Sequence, residues 1–479
     1  MTQLNKKIAQ NTVMQMIGKV LATVFGLLAV AFLTRHLGAG GYGQLTIAIS
    51  FLTLFAVVVD FGLTITTVQM ISEKDADEET IVGNLLSLRI ISAVLFLALA
   101  PVIAIFFPYD QIVKIGIAVG TFSYLFGTTS QMLVGVFQKR LIMSRVVIAE
   151  LLNRSLVLFG AIFAPALSLN LVGVMGLFIV GNALQLFTII FFTRKRIQYK
   201  LNIDFKAWTL ILKRSWPIGV SLVFNLIYLR GDILFLSLWA SNEQIGIYGF
   251  AYKIVDVMTA FPVMYMGLML PLLVTTWSAK DAKFNKYMQD AFDFFAVVAI
   301  PLTLGSIAVG VPLMVLVGGE DFAESGKVLA IFGLVMTTIF FGTLYAHAVV
   351  AVQKQKVMTW GYLAVAIVTI LGYIIFIPKY GIWAAAWFTV LAEAAITFAT
   401  AYVVYKTSGY APKMILASKA IFSSIVMYLA LLMIPSVHVL IQIIIAMVVY
   451  YITLAILGGP RFSSAVKLFL PEKSPISLP

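Results

Sequence analysis

Apolar residues run along this chain in long blocks, each bounded by a short polar or charged cluster. A helix that crosses a bilayer needs about 20 mainly apolar residues, and about fourteen blocks meet that length. They lie near 12–34, 41–66, 83–106, 112–136, 146–165, 170–193, 215–239, 246–272, 291–317, 327–352, 357–377, 381–405, 416–435 and 438–457. The pattern predicts an all-α polytopic membrane protein. The first block has the composition of a signal peptide, but it is long, contains Lys19 and leads straight into a second span, so it is expected to be retained.

Composition supports this class. The chain is 61% hydrophobic and 11% charged, where soluble domains average about 45–50% and about 25%. No soluble interior could hide that much apolar surface. With Cys 0, disulfides, thiol catalysis, thiolate zinc sites and iron–sulfur clusters are excluded. A net charge of +13 would suggest nucleic acid in a soluble protein, but here the placement of the basic residues says more, and no nucleic-acid partner is expected. With the N-terminus placed in the cytoplasm, the outside loops hold only Arg35, Lys114, Lys327 and Lys379, and the other loop cations fall inside. The positive-inside rule therefore puts both termini in the cytoplasm. The densest basic stretch, Arg194 to Arg214, is read as a topology signal joining two halves, with anionic lipid headgroups as the alternative. The acidic loop Glu73, Asp75, Asp77, Glu78 and Glu79 is expected to be solvated.

The halves echo one another. Phe126-Gly127-Thr128, Val134, Gln138-Lys139 and Met143 recur at one constant offset as Phe341-Gly342-Thr343, Val349, Gln353-Lys354 and Met358. Gly40-Gly41-Tyr42-Gly43 pairs with Gly246-Ile247-Tyr248-Gly249, and Gly173-Val174-Met175-Gly176 with Gly381-Ile382-Trp383-Ala384. The implied repeat is six spans, an even number, so both copies lie the same way up, a recurrent transporter plan. The expected organisation is a six-helix bundle over 1–197, a basic linker over 198–214, a second six-helix bundle over 215–405, two further helices over 406–457, and a tail over 458–479.

Charges inside spans mark function or pairing. Lys19, Asp60, Arg89, Glu150, Arg154, Arg230, Asp232, Lys253, Asp256 and Glu393 all fall there. Each charge facing lipid costs about 2.5–3.5 kcal/mol, and net stability is about 5–15 kcal/mol, so most of them must pair, reach an interface or line water. Neighbouring polar residues recur at helical spacing: Asn11, Gln15, Lys19 and Thr23; Thr46, Ser50, Thr53 and Asp60; Tyr124, Thr128 and Gln131; Ser221, Asn225, Tyr228 and Asp232. Such stripes face either water or another helix. Glu150 and Arg154 at i,i+4 suit an intrahelical bridge or a substrate contact, and Lys253 and Asp256 at i,i+3 suit a pair. Lys19 has no acid at helical spacing, which frees its charge for an anion. Arg89 is expected to snorkel, Asp60 to be hydrated, and His347 to be a core hydrogen-bonding residue.

No Walker A sequence and no metal-ligand motif occurs, so neither ATP hydrolysis nor a cofactor is expected, and short outer loops leave no room for a catalytic domain. Arg35-His36-Leu37-Gly38, Tyr42-Gly43 and Asp60-Phe61-Gly62-Leu63 resemble the opening of the polysaccharide transporter, or Wzx-type oligosaccharide flippase, family of the multidrug/oligosaccharidyl-lipid/polysaccharide exporter superfamily. Trp216-Pro217, Tyr228-Leu229-Arg230-Gly231-Asp232, Ala251-Tyr252-Lys253, Gly319-Glu320-Asp321-Phe322 and Pro378-Lys379-Tyr380-Gly381 extend the resemblance over nearly the whole chain. The resemblance implies two pseudo-symmetric six-helix bundles, MATE- and MurJ-like, around a central cavity. It also implies movement of an undecaprenyl-pyrophosphate-linked oligosaccharide across the bacterial or archaeal cytoplasmic membrane by alternating access, for O-antigen, capsule or exopolysaccharide. Carried over by position, Lys19, Arg154, Arg230 and Lys253, with Asn225 and Tyr228, are the substrate-binding candidates, and Asp60, Asp232 and Glu393 are candidates for coupling to H+ or Na+. Membrane lipids and glycan polymerase or assembly proteins are the further partners. A MATE-like small-molecule exporter, a MurJ-like lipid II flippase and a scaffold of a glycan-assembly complex are the alternatives.

Overall fold

The computed structural model describes residues 3–73, 76–140 and 142–459, and the side chains of these except 3–13, 217, 221 and 223–229. Among the described residues all regular structure is helical. The helices are α1 (Gln3–Asp60), α2 (Leu63–Ile71), α3 (Glu78–Ala104), α4 (Gln111–Lys139), α5 (Ser144–Phe163), α6 (Leu171–Arg194), α7 (Phe205–Trp239), α8 (Asn242–Ser278), α9 (Lys283–Gly318), α10 (Ala323–Ala351), α11 (Gln355–Ser408), α12 (Ile415–Leu432) and α13 (Val439–Ile456).

Two helices are of double length, and each turns at one glycine. Gly38 (φ 65°) divides α1 and Gly381 (φ 55°) divides α11, in a region of backbone space that side chains rarely tolerate. A second break follows Asp60, where Phe61 (φ 37°) and Gly62 (φ 80°) separate α1 from α2. Counting each half of α1 and α11 once, and α2 as the continuation of the second span, the described residues make the fourteen crossings expected from hydropathy.

The chain divides into two compact units, residues 1–246 and 247–479. In the first, α4 packs on α1, α3 and α6, α5 bridges α1 and α6, and α7 lies against α1, α2 and α3. Its core includes Ile71, Val82, Leu133, Phe137, Ile189 and Ile211, all nearly inaccessible. In the second, α10 packs between α9 and α11 over Met266, Met288, Phe295, Phe340 and Leu344. Helices α12 and α13 cover α9 through Val309, Met427 and Leu454. The large apolar residues left exposed, such as Phe159, Phe187, Trp360 and Phe398, are what a bilayer solvates.

Candidate functional site

The exposed residues of each helix show which face meets lipid. On α1 these include Met14, Ile17, Val20, Leu21, Val24 and Leu28; on α5, Ile148, Leu152, Phe159, Ile162 and Phe163; on α6, Val180, Phe187 and Phe191. At 3.6 residues per turn, Lys19 stands about half a turn away from Ile17 and Leu28, and Glu150 and Arg154 stand about half a turn from Ile148 and Leu152. Yet the Lys19 side chain is 54% exposed, and Arg154 is exposed as well. Gln131 on α4 behaves alike, lying about half a turn from the exposed Phe122. Accessible polar groups on faces turned away from lipid need water beside them. The first unit thus presents a wall of accessible polar groups on α1, α4 and α5.

The charged part of the wall is built from α1 and α5. Gly18 lets Val147 approach α1 closely, and the Arg154 guanidinium lies over Gly26, with Nη1 3.9 Å from where a Cβ would stand. Between these contacts Lys19 Nζ comes 3.8 Å from Glu150 Oε1. Lys19 therefore has an acid nearby, supplied by a neighbouring helix that spacing along α1 could not reveal. At that separation the pair is loose, and such accessible pairs contribute about 0–1 kcal/mol. Two cations against one carboxylate leave the wall with a positive excess.

A second pair of intramembrane charges is organised differently. Arg89 is fully buried; its Nη2 donates to Asp60 Oδ1 (2.6 Å) and Thr64 Oγ1 (3.2 Å), its Nη1 to Val59 O (2.9 Å) and its Nε to Thr128 O (3.1 Å). The Thr64 hydroxyl also donates to Asp60. The expectation that Arg89 snorkels is thereby corrected. The helix break at Phe61 and Gly62 frees carbonyls inside the bundle, and the guanidinium satisfies one of them while Asp60 neutralises it. Asp60, expected to be hydrated, is held by this arginine, with a side chain 20% exposed. The break nests on α7, where a Cβ on Gly62 would meet Ile218 and Ser215 O.

The other expected residues are scattered. Arg230 is part-buried and its charge lies near Tyr124, whose hydroxyl bonds to Thr53 Oγ1 (2.7 Å) and Ile49 O (2.9 Å). Asp232 is buried, with Oδ1 accepting from Ile233 N at 2.8 Å. The side chains of Asn225 and Tyr228 lie outside the described residues, as do those of Asn11, Ser221 and Asp75. In the second unit Lys253 and Asp256 approach to 3.9 Å, Glu393 is buried, and His347 Nδ1 bonds to Thr343 O within its own helix (2.8 Å). Several hydroxyls of the polar stripes, Thr46, Thr53 and Thr128 among them, bond to carbonyls one turn back, so the stripes serve backbone bonding as well as water.

Sequence reasoning missed one network. Asn153 on α5 bonds to Asn182 and Gln185 on α6, and Asn182 to Ser123 on α4. The signal was three amides in apolar spans, divided between two helices, so that no single stripe displayed them.

The ends of the first unit are also tied. At the end carrying the basic linker, Glu78 bonds to Lys139 (2.5 Å) and Arg140 (2.6 Å), and Glu73 pairs with Arg214. The acidic loop is thus partly an anchor, contrary to the expectation of simple solvation. Asp77 caps α3, and its hydrogen bonds to Thr80 hold its carboxyl below the usual range. At the opposite end Asp110 Oδ2 accepts from Asn242 (2.6 Å) and Gln44 (3.3 Å), and Tyr109 OH bonds to Ser237 Oγ (2.8 Å). Burial pushes the Tyr109 phenol up to about 12. There, within the first unit, backbone meets backbone: a Cβ on Gly43 would strike Asn242 O, and one on Gly246 would strike Ala39 O.

Solved structures similar to this fold include membrane transporters. A lipid II flippase, MurJ, in an inward closed conformation superposes with a TM-score of 0.77 at 18% identity, covering 92% of this chain and 97% of that one. An inward-facing multidrug resistance MATE family transporter of the MOP superfamily gives 0.64 at 12% identity, covering 81% and 96%. A MOP superfamily transporter from Pyrococcus furiosus, described as having a binding pocket of reverse polarity, gives 0.59 at 12% identity over 84% and 95%. No curated protein matches the sequence. These likenesses establish the fold. Residues 8–277, more than half of the chain, match the polysaccharide biosynthesis protein family, the transporter group that the sequence motifs resemble, and the chain belongs to that family.

Proposed function

We propose that the chain is a flippase that carries an undecaprenyl-pyrophosphate-linked oligosaccharide across the cytoplasmic membrane by alternating access, in the assembly of a surface polysaccharide. The observation that carries this reading is the wall on α1 and α5: Lys19 and Arg154, both accessible, with Glu150 3.8 Å from Lys19. A pyrophosphate is a compact dianion or more. Lys offers it a point charge and Arg a planar fork, while the isoprenoid tail stays in lipid. Arg230 and Lys253, with Asn225 and Tyr228, are proposed as further contacts. The basic linker is proposed to face the cytoplasm, in line with the distribution of Lys and Arg.

Coupling to H+ or Na+ is assigned to Asp232 and Glu393, both buried carboxyls. Asp60 is a weaker choice, because it is already committed to the buried Arg89 at 2.6 Å. Efflux of cationic drugs in the MATE manner suits the wall poorly, since a positive excess repels cations. A MurJ-like role on lipid II would use the same pyrophosphate chemistry and differs only in the glycan.

The test is leaflet distribution. Deleting the gene should trap lipid-linked repeat units on the cytoplasmic side, and Lys19→Ala or Arg154→Ala should fail to restore them while the protein stays abundant. Unchanged surface glycan in the deletion, with no second exporter present, contradicts the proposal. Rescue of a strain depleted of its lipid II flippase selects the MurJ-like reading.

A further inference from the structure

The interior of the first unit also holds a group of uncharged polar side chains that the anion wall does not use. Asn153 Nδ2 donates to Asn182 Oδ1 (3.0 Å) and to Gln185 Oε1 (2.7 Å), and Asn182 Nδ2 donates to Ser123 Oγ (2.8 Å). The group has two layers. Ser123 and Asn153 are buried, at 3% and 8% exposure, whereas Asn182 and Gln185 are part-exposed.

Their exposure is not to lipid. Val180 and Phe187 mark the lipid face of α6, and Asn182 and Gln185 lie about half a turn away from it. A glycine makes the arrangement possible: a Cβ on Gly181 would strike Asn153 Oδ1. With the bonds above in place, both amide protons of Gln185 and one of Asn182 remain to be given to whatever enters beside them. Adhesion between α5 and α6 is already served by the Asn153–Asn182 bond and by Leu177 packed on Gly160. It does not need a third amide gripped by its carbonyl so that its NH2 end is presented.

We infer that Asn182 and Gln185, oriented by Ser123 and Asn153, form an uncharged subsite for the sugar part of the substrate, donating to hydroxyl or acetamido oxygens. This rests on the flippase reading and adds a division of labour to it: α1 and α5 hold the anion, α6 reads the glycan. A site built to hydrogen-bond a ligand discriminates strongly against one that lacks the matching group.

Equilibrium binding to the purified full chain in nanodiscs tests it with two probes, undecaprenyl pyrophosphate bearing one N-acetylhexosamine and undecaprenyl pyrophosphate without sugar. Gln185→Leu should weaken the sugar-bearing probe about tenfold, the loss of one or two hydrogen bonds, and leave the bare probe unchanged. Lys19→Ala should weaken both. If leucine upsets folding, Gln185→Asn, which keeps the amide but shortens its reach, should give the same selective loss in smaller measure. Equal weakening of both probes by the Gln185 variants, or of neither, overturns the subsite. Failure of both probes to bind the wild type overturns the flippase reading itself, a different result.

Discussion

The Lys19–Glu150 and Asp60–Arg89 pairs both place opposite charges inside membrane spans, and both join two helices of the same unit. They are nevertheless different devices. In the first the ions are 3.8 Å apart and the lysine is more than half exposed. In the second they are 2.6 Å apart and the arginine is inaccessible, with further donors spent on Val59 O and Thr128 O. A loose, wet pair leaves its cation available for exchange with another anion. A tight, dry pair bonded to backbone carbonyls is part of the scaffold, and removing one member leaves the rest uncompensated.

The contrast makes predictions. The largest effect belongs to Arg89→Met, which strands Asp60 and the freed carbonyls. It should destabilise the folded protein by about 3–5 kcal/mol, seen as loss of the folded species in detergent melting, and Arg89→Met with Asp60→Asn should recover part of that loss. Lys19→Ala and Arg154→Ala should do the reverse. Each is expected to change stability by no more than about 1 kcal/mol while lowering transport at least tenfold. A Lys19→Ala protein that melts as poorly as Arg89→Met would erase the distinction.

Next comes the close contact of Gly43 with Asn242 inside the first unit. Gly43→Val inserts a branched side chain against Asn242 O and should cost about 1–3 kcal/mol. The same detergent melting reads this loss. The smallest effect is Tyr109→Phe, which deletes one hydrogen bond to Ser237 and should cost about 1 kcal/mol in the same melting assay, with transport unaltered.

The spans and their number were legible because hydropathy alone decides what crosses a bilayer. The turn at Gly38 sits inside a quoted motif, and the Phe61-Gly62 break was present in another. What periodicity could not show was the consequence of that break: carbonyls set free in the bundle, which pull Arg89 inward instead of letting it snorkel. Lys19 looked unaccompanied for a similar reason. Spacing rules find partners on the same helix, and Glu150 comes from α5. The amides of Asn153, Asn182 and Gln185 escaped notice because each helix contributes too few to make a stripe. Local sequence shows which residues are out of place in lipid, and only tertiary packing shows whether each is locked or left open to water.

The protein has Cys 0, so single cysteines report cleanly on that question. The most direct measurement is the rate at which a charged, water-soluble thiol reagent modifies Lys19→Cys and Arg154→Cys in membranes, with Ile17→Cys on the lipid face of the same helix as reference. Fast modification at 19 and 154 and none at 17 is the expected result. Equal protection at all three positions would contradict the accessible wall and the function proposed from it.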